Sequence, residues 1–413
     1  MQPTIISRDK HTVSRKQMSE EVLKVLYRLH RTGHLAYLCG GGVRDLLLKR
    51  DIDDFDVATD AEPRKVKHVF GNCRLVGRRF RIAHIMFKGG RIIEVSTFRK
   101  EGEEEAEENS DSLLIKRDNT YGSPAEDAFR RDFTINALYY NVADFTIIDY
   151  VGGRKDLKAR LIRCIGDPDI RFQEDPIRIL RGIRLAAILD FQVEESTWEA
   201  MKRQRHHIQE CAVSRIREEL MKILRRGSTH KAFELLARAS VLQLLFPKLE
   251  KCKLSSHEGK PSFANPGWQH LSVLDNLRSQ GAVFTDSLLL AALTASPVLT
   301  RLEELPPGHD VGKWLNLYLE DNFKPLAIPR RVRTQVHLLL LALRYMLAPK
   351  RKKRRRSLRR SALFTDALKL LEIHCLATNQ HWPAFKHWQR TQRQRGVSRK
   401  QSRSRVRNVG RIR

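Results

Sequence analysis

The chain has 413 residues, 41% of them apolar and 30% charged, and carries a formal net charge of +29. That length accommodates roughly two to four domains with real cores. A charge so far from zero excludes a surface tuned only for solubility and implies a polyanionic partner, either nucleic acid or an acidic membrane surface. No apolar leader opens the sequence, and no run of about 18 apolar residues follows. Six scattered cysteines (Cys39, Cys73, Cys164, Cys211, Cys252, Cys375) form no C-x-x-C pair. Membrane insertion, a disulfide frame and a zinc site are therefore not expected, and a cytoplasmic setting is.

In chain order, residues 1–20 read as a polar, basic, flexible arm. Val22, Leu23, Val25, Leu26 and Leu29 then recur at helical spacing. An apolar strand, Tyr37-Leu38-Cys39, breaks on Gly40-Gly41-Gly42 into a helix predicted to begin at Val43. Glycines let a backbone approach a ligand closely, and a helix start aims N–H groups at an anion. Asp54-Phe55-Asp56 follows. In an extended segment residues i and i+2 share a face, so Asp54 and Asp56 project together while Phe55 and Val57 point into a core. Two hard carboxylates side by side suit Mg²⁺, which takes a few carboxylates plus substrate phosphates. A helix over Pro63–Phe70 comes next, then two β-rich runs, Ile82–Phe87 and Ile92–Phe98, split by Gly89-Gly90 as in a hairpin.

Glu101–Glu108 is an acidic stretch that can bury nothing and reads as a mobile loop. Order resumes near Tyr121, and Asp127–Ala137 precedes a strand pair, Leu138–Asn141 and Thr146–Tyr150. Within Arg130-Arg131-Asp132-Phe133, Asp132 either completes a carboxylate cluster with Asp54 and Asp56, or caps a helix or pairs with an arginine. Glu94, in the strand Ile92–Phe98, competes as the third acid. After Pro176 the pattern is helical, with no clear strands. Glu174-Asp175-Pro176 makes a good helix start. Arg178, Arg181 and Arg184 then line one side of the helix, and Ile177, Leu180 and Ile183 the adjacent packing side. A row of arginines can hold phosphates or present planar donors to a base edge. Lys350–Arg360 is nearly all basic, and the tail from Gln389 to Arg413 has no acidic residue. Both suit contact with nucleic acid. The fold class is α+β, a mixed-sheet head followed by an all-α neck and body. The expected divisions are arm 1–20, head 21–165, neck 166–235, body 236–388 and disordered basic tail 389–413.

These pieces suit attack of an RNA 3′-hydroxyl on the α-phosphorus of a nucleoside triphosphate, with metal at Asp54 and Asp56. The same three motifs, Gly40–Asp45 with Asp54–Asp56, Arg130–Ala137, and Glu174–Arg181, resemble in order and spacing the bacterial poly(A) polymerase / CCA-adding nucleotidyltransferase family. Gly77–His84 is similar to the stretch that marks the polymerase branch. The resemblance implies Mg²⁺ at Asp54 and Asp56, with Asp132 as the third catalytic acid. It also implies nucleotide contacts at Gly41, Arg44, Arg131, Arg178 and Arg181, with Asp175 near the base. Its implied activity is template-independent addition of AMP from ATP to RNA 3′ ends. The alternatives are CCA addition to tRNA, or a non-catalytic RNA-binding protein on the same scaffold.

Overall fold

Residues 2–52, 55–77, 81–100, 121–249, 266–348 and 358–392 are described by a computed structural model. They divide into two compact units, Met1–Glu174 with Asp190–Ala200, and Asp175–Leu189 with Met201–Arg413. Asp54, Arg78–Phe80, the acidic stretch Glu101–Glu108, residues 350–357 of the basic run and the tail from 393 onward lie outside the described residues.

The first unit is built on one mixed sheet. Its strands are β1 (Thr4–Ile6), β2 (Ala36–Cys39), β3 (Asp56–Thr59), β4 (Cys73–Val76), β5 (Ile82–Met86), β6 (Ile92–Thr97), β7 (Leu138–Asn141) and β8 (Ile147–Asp149). They stand in the order β1-β8-β7-β2-β3-β6-β5-β4. The expected hairpin is the antiparallel pair β5–β6, whereas β3 and β6 run parallel. One face packs on α1 (Glu20–Arg31) and α3 (Pro63–Val69). Ser19 caps α1 by accepting the Val22 N–H, and of the predicted stripe Val22, Val25, Leu26 and Leu29 are fully buried while Leu23 is half-buried. Burial of four such side chains contributes up to about 6–12 kcal/mol before entropy is counted. On the other face Tyr37, Cys39, Ala58, Phe98, Ala128, Ala137 and Tyr139 form a second core.

The N-terminal segment is not a loose arm. Thr4–Ile6 adds to the sheet as an edge strand in register with Ile147–Asp149. His11 and Val13 are buried, and the His11 ring reaches the Phe145 carbonyl at 2.9 Å. The short strand β4 and a two-stranded parallel pair, Leu161–Ile162 with Gln192–Val193, were also not anticipated. The latter places one strand beyond Pro176 in a stretch that reads as purely helical.

The second unit is helical throughout its described residues. Its helices include Ile177–Leu189, Val213–Arg225, Thr229–Arg238, Pro266–Ser279, Asp286–Glu303, Val311–Phe323, Arg330–Leu347 and Phe364–Thr378. Phe233, Phe246, Phe323, Phe364 and Trp388 are fully buried in it. The expected tail boundary at Gln389 falls too early. A helix runs over 382–392, Trp388 donates to the Met346 carbonyl at 3.2 Å, and Thr391 is buried. Among the described residues no helix is long and apolar enough to cross a membrane.

Candidate active site

The glycine turn comes first. Gly40 sits at φ +68° and ψ −137°, a backbone conformation that side-chain-bearing residues rarely adopt, and the helix α2 (Gly41–Leu47) starts directly after it. A Cβ at Gly40 would lie 3.2 Å from Arg131 Nη1 and 3.7 Å from Asp56 Oδ2. The glycine therefore lets the turn close on a cation and a carboxylate together.

Asp56 is exposed at the first position of β3, beside Cys39 on β2 and Glu94 on β6. Residues in register on neighbouring strands share a face. Asp56, Glu94 and His84 thus form one row across three strands, and Glu94 Oε1 lies 3.5 Å from His84 Nε2. Strand register accordingly brings Glu94 next to Asp56. Asp132 arrives by another route, from the loop that follows α4 (Pro124–Phe129). It is buried, and its Oδ1 accepts from the Phe133 N–H at 2.8 Å and from Asn136 Nδ2 at 3.1 Å.

Arg44 and Arg131 are held by acids of their own. Arg44 forks onto Asp45, Nε to Oδ1 at 2.9 Å and Nη2 to Oδ2 at 2.8 Å, while its Nη1 donates to Asn136 Oδ1 at 2.6 Å. Arg131 pairs with Asp127 (Nη2 to Oδ2, 3.0 Å) and donates from Nε to the Tyr139 hydroxyl at 3.0 Å. That hydroxyl in turn donates to Asp127 Oδ2 at 2.8 Å. Burial works to raise the Asp127 carboxyl, but Arg131, Arg130 and Tyr139 outweigh it and hold the group below its ordinary value. The Cys39 thiol is pushed up to about 11 by burial, with the neighbouring Asp56 and Asp127 charges adding to the effect and Arg131 opposing it. Cys39 is a core thiol here and not a nucleophile.

Asn136, Asp127 and Tyr139 were not among the predicted site residues. Ser123-Pro124-Ala125-Glu126 was the available signal for α4, since Ser123 and Glu126 close a reciprocal capping box there. Asn136 lies within the Arg130–Ala137 motif, but nothing local reveals its partner Arg44, 92 positions away.

In the second unit Asp175 stands just before the helix Ile177–Leu189, and its carbonyl accepts from the Arg178 N–H at 3.0 Å. Its carboxylate Oδ2 accepts from Arg215 Nη2 at 2.9 Å. Arg178 and Arg181 are half-buried, and Ile177, Leu180 and Ile183 pack as predicted. Arg184 leaves the row: its Nε donates to Glu219 Oε2 at 2.9 Å and both groups are largely buried. Its place in the sequence matches that of a ligand-facing arginine, and its ion pair makes it a packing element.

The donors beside the turn, Asp56 and Glu94 with Asp54 two residues earlier in sequence, are hard carboxylate oxygens that fit a small divalent cation. Among the described residues no group of three metal-ligating side chains is already gathered.

Here a mixed sheet sets a glycine turn against a strand-borne aspartate and a half-buried arginine, the arrangement of a nucleotidyltransferase head. Residues 36–163 match the family described as Poly A polymerase head domain, and residues 190–253 the one described as Probable RNA and SrmB-binding site of polymerase A. Poly(A) polymerase I of Salmonella typhimurium is 39% identical over 387 residues, covering 91% of this chain and 82% of that protein. Poly(A) polymerase I of Escherichia coli O157:H7 is 42% identical over 344 residues, covering 81% of this chain and 73% of that protein. The Bacillus stearothermophilus CCA-adding enzyme, solved in complex with CTP, superposes with a TM-score of 0.63 at 24% identity, covering 92% of this chain and 82% of that one. That likeness establishes the shared fold. The chain belongs to the poly(A) polymerase family.

Proposed function

We infer that the protein adds AMP residues from ATP to RNA 3′ ends without a template, releasing pyrophosphate. The observation that carries this reading is the likeness to poly(A) polymerase I along four-fifths or more of the chain. The turn at Gly40, set against Asp56 and Arg131, supplies the matching chemistry.

In this reading the RNA 3′-oxygen attacks the α-phosphorus of ATP, the bond to the β-phosphate oxygen breaks, and pyrophosphate leaves. Asp54 and Asp56 would hold Mg²⁺, and Asp132 would be the third acid. A cation at that place would acidify the 3′-hydroxyl and neutralise charge on the phosphates. Gly41 presents backbone close to the triphosphate. Arg131 keeps its charge through Asp127 and offers it at the turn. Arg44, held by Asp45 and Asn136, serves the triphosphate by fixing the turn. Asp175, Arg178 and Arg181 read the base, the carboxylate accepting from the adenine amino group and the guanidinium donating to a ring nitrogen. Positioning and electrostatics supply most of the rate. We assign this chemistry to the head (21–165), base reading to the neck (166–235), and RNA binding to the body (236–388) and the basic tail, in a cytoplasmic protein.

The test uses an RNA with a 3′-hydroxyl and a matched RNA blocked by a 3′-phosphate. Label from α-phosphate-labelled ATP should enter only the open RNA, and label from the γ-phosphate should enter neither. Incorporation into the blocked RNA would contradict attack by the 3′-oxygen. Asp56→Ala should abolish incorporation with little change in melting, because the side chain is exposed.

A further inference from the structure

Asn136 sits between two charged groups of opposite sign and is bonded to both. Its Oδ1 accepts from Arg44 Nη1 at 2.6 Å and its Nδ2 donates to Asp132 Oδ1 at 3.1 Å. All three residues are buried, at 8%, 9% and 7% exposure for Asn136, Arg44 and Asp132. The charges fix which way the amide points. Flipped, it would set its NH₂ against a guanidinium and its oxygen against a carboxylate, and both contacts repel. At low local dielectric such a misorientation is expensive, so the amide holds one orientation.

We propose that Asn136 is a positioning residue for the transfer reaction: it couples Arg44, which fixes the glycine turn, to the carboxylate of Asp132. The linkage runs Asp45–Arg44–Asn136–Asp132 and alternates acceptor and donor throughout. It leads from the helix after the turn to the loop after α4, so the two substructures that meet the substrate cannot move independently. The surroundings prevent Asn136 from drifting. Thr134 donates its hydroxyl to Asp156 Oδ2 at 2.7 Å and its N–H to the Arg163 carbonyl at 3.0 Å. Arg171 Nη2 donates to the Arg130 carbonyl at 2.7 Å, and Arg131 Nη1 to the carbonyl of Asn136 itself at 3.2 Å.

The bond to each partner needs its own half of the amide. A carboxylate at 136 keeps the acceptor for Arg44 but loses the donor and places a second negative charge against Asp132. Alanine removes both bonds. Outer partners of this kind commonly govern about 10–100-fold in activity.

This inference rests on Asp132 taking part in the reaction, and the experiment separates the two ideas. Full-length wild type, Asn136→Asp, Asn136→Ala and Asp132→Asn are compared on an oligo(A) primer at saturating Mg²⁺, for kcat, KM for ATP, KM for RNA and melting temperature. The proposal expects Asn136→Asp, assayed well below its own melting transition, to keep KM for RNA within about twofold while kcat falls about 10–100-fold, more than its loss of melting temperature accounts for. Asn136→Ala should lose kcat similarly and also raise KM for ATP, because Arg44 is released. If Asn136→Asp keeps kcat within twofold, the proposal is overturned. A fall in kcat that only tracks a fall in melting temperature also overturns it, since that reports a structural role. Should Asn136→Ala fail to fold, Asn136→Asp still decides. If Asp132→Asn is fully active, the assignment of Asp132 fails instead.

Discussion

Gly153→Ala is the substitution whose consequence the structure determines most sharply. Gly153 begins the helix Gly153–Ala159, and a Cβ built on it would stand 2.1 Å from the Thr134 carbonyl oxygen, 2.9 Å from the Thr134 carbonyl carbon and 3.3 Å from Leu138 Cδ2. Carbon and carbonyl oxygen approach to about 3.3 Å at closest, so the two backbones must part by roughly 1.2 Å. Thr134 has little freedom to retreat. Its N–H is held by the Arg163 carbonyl and its hydroxyl by Asp156, and its carbonyl accepts from the Ala137 N–H. The displacement therefore passes to Asn136 and Asp132. Overpacking costs about 1–3 kcal/mol, partly offset by up to about 1 kcal/mol that alanine gains over glycine in a helix. At about 2–4 °C per kcal/mol for a unit of this size, the melting temperature should drop by a few degrees. A shift of about 1 Å at a reacting group can cost on the order of 10²-fold. Steady-state incorporation of ATP into an oligo(A) primer, with calorimetry on the same preparation, should show a kcat loss far larger than the unfolded fraction explains. Wild-type kcat and an unchanged melting temperature would refute the reasoning.

Asp127→Asn removes the anion behind Arg131. Breaking a buried pair costs about 3–5 kcal/mol, so chemical denaturation should show a loss of that order, and a change below about 1 kcal/mol would count against the pair. In the second unit, burial followed by the neighbouring His381 depresses His374 from 6.5 to about 4. The unfolded chain then binds more protons between those values, so stability should fall as pH drops from about 6.5 toward 4. His374→Gln should flatten that limb in melting curves, and an unchanged limb would argue against it. Removing residues 393–413, rich in arginine and lysine and lacking acids, should weaken RNA binding at low salt. Each lost phosphate contact should reduce the log–log salt slope by about 0.7 for single strands, whereas an unaltered slope would exclude the tail from RNA contact.

Much of the head is legible in the sequence because its signals are local. The stripe Val22–Leu29, the hairpin split by Gly89-Gly90 and the three glycines at the start of α2 each declare themselves within a dozen residues. The face shared by Asp56 and Glu94 follows from strand alternation, although their register does not. What was hidden depends on distant partners. Thr4–Ile6 becomes a strand only because Ile147–Asp149 offers an edge, and nothing in a polar N-terminal stretch reveals that. Asp127 reads as one more charge in a charged segment, and it is buried because Arg131 and Tyr139 close around it. Arg184 shares its spacing with Arg178 and Arg181, and its ion pair with Glu219 on another helix is a tertiary contact that spacing does not reveal.

The central claim concerns the product, and nucleotide choice on a defined RNA tests it most directly. The purified chain is incubated with an unstructured RNA and with tRNA lacking its 3′ end, each with ATP or CTP alone and with both. The account predicts long, heterogeneous adenylate tails on the unstructured RNA from ATP alone, with little CTP incorporated on either acceptor. Addition that stops after two C residues and one A on the tRNA, with no tailing of the other RNA, would contradict it.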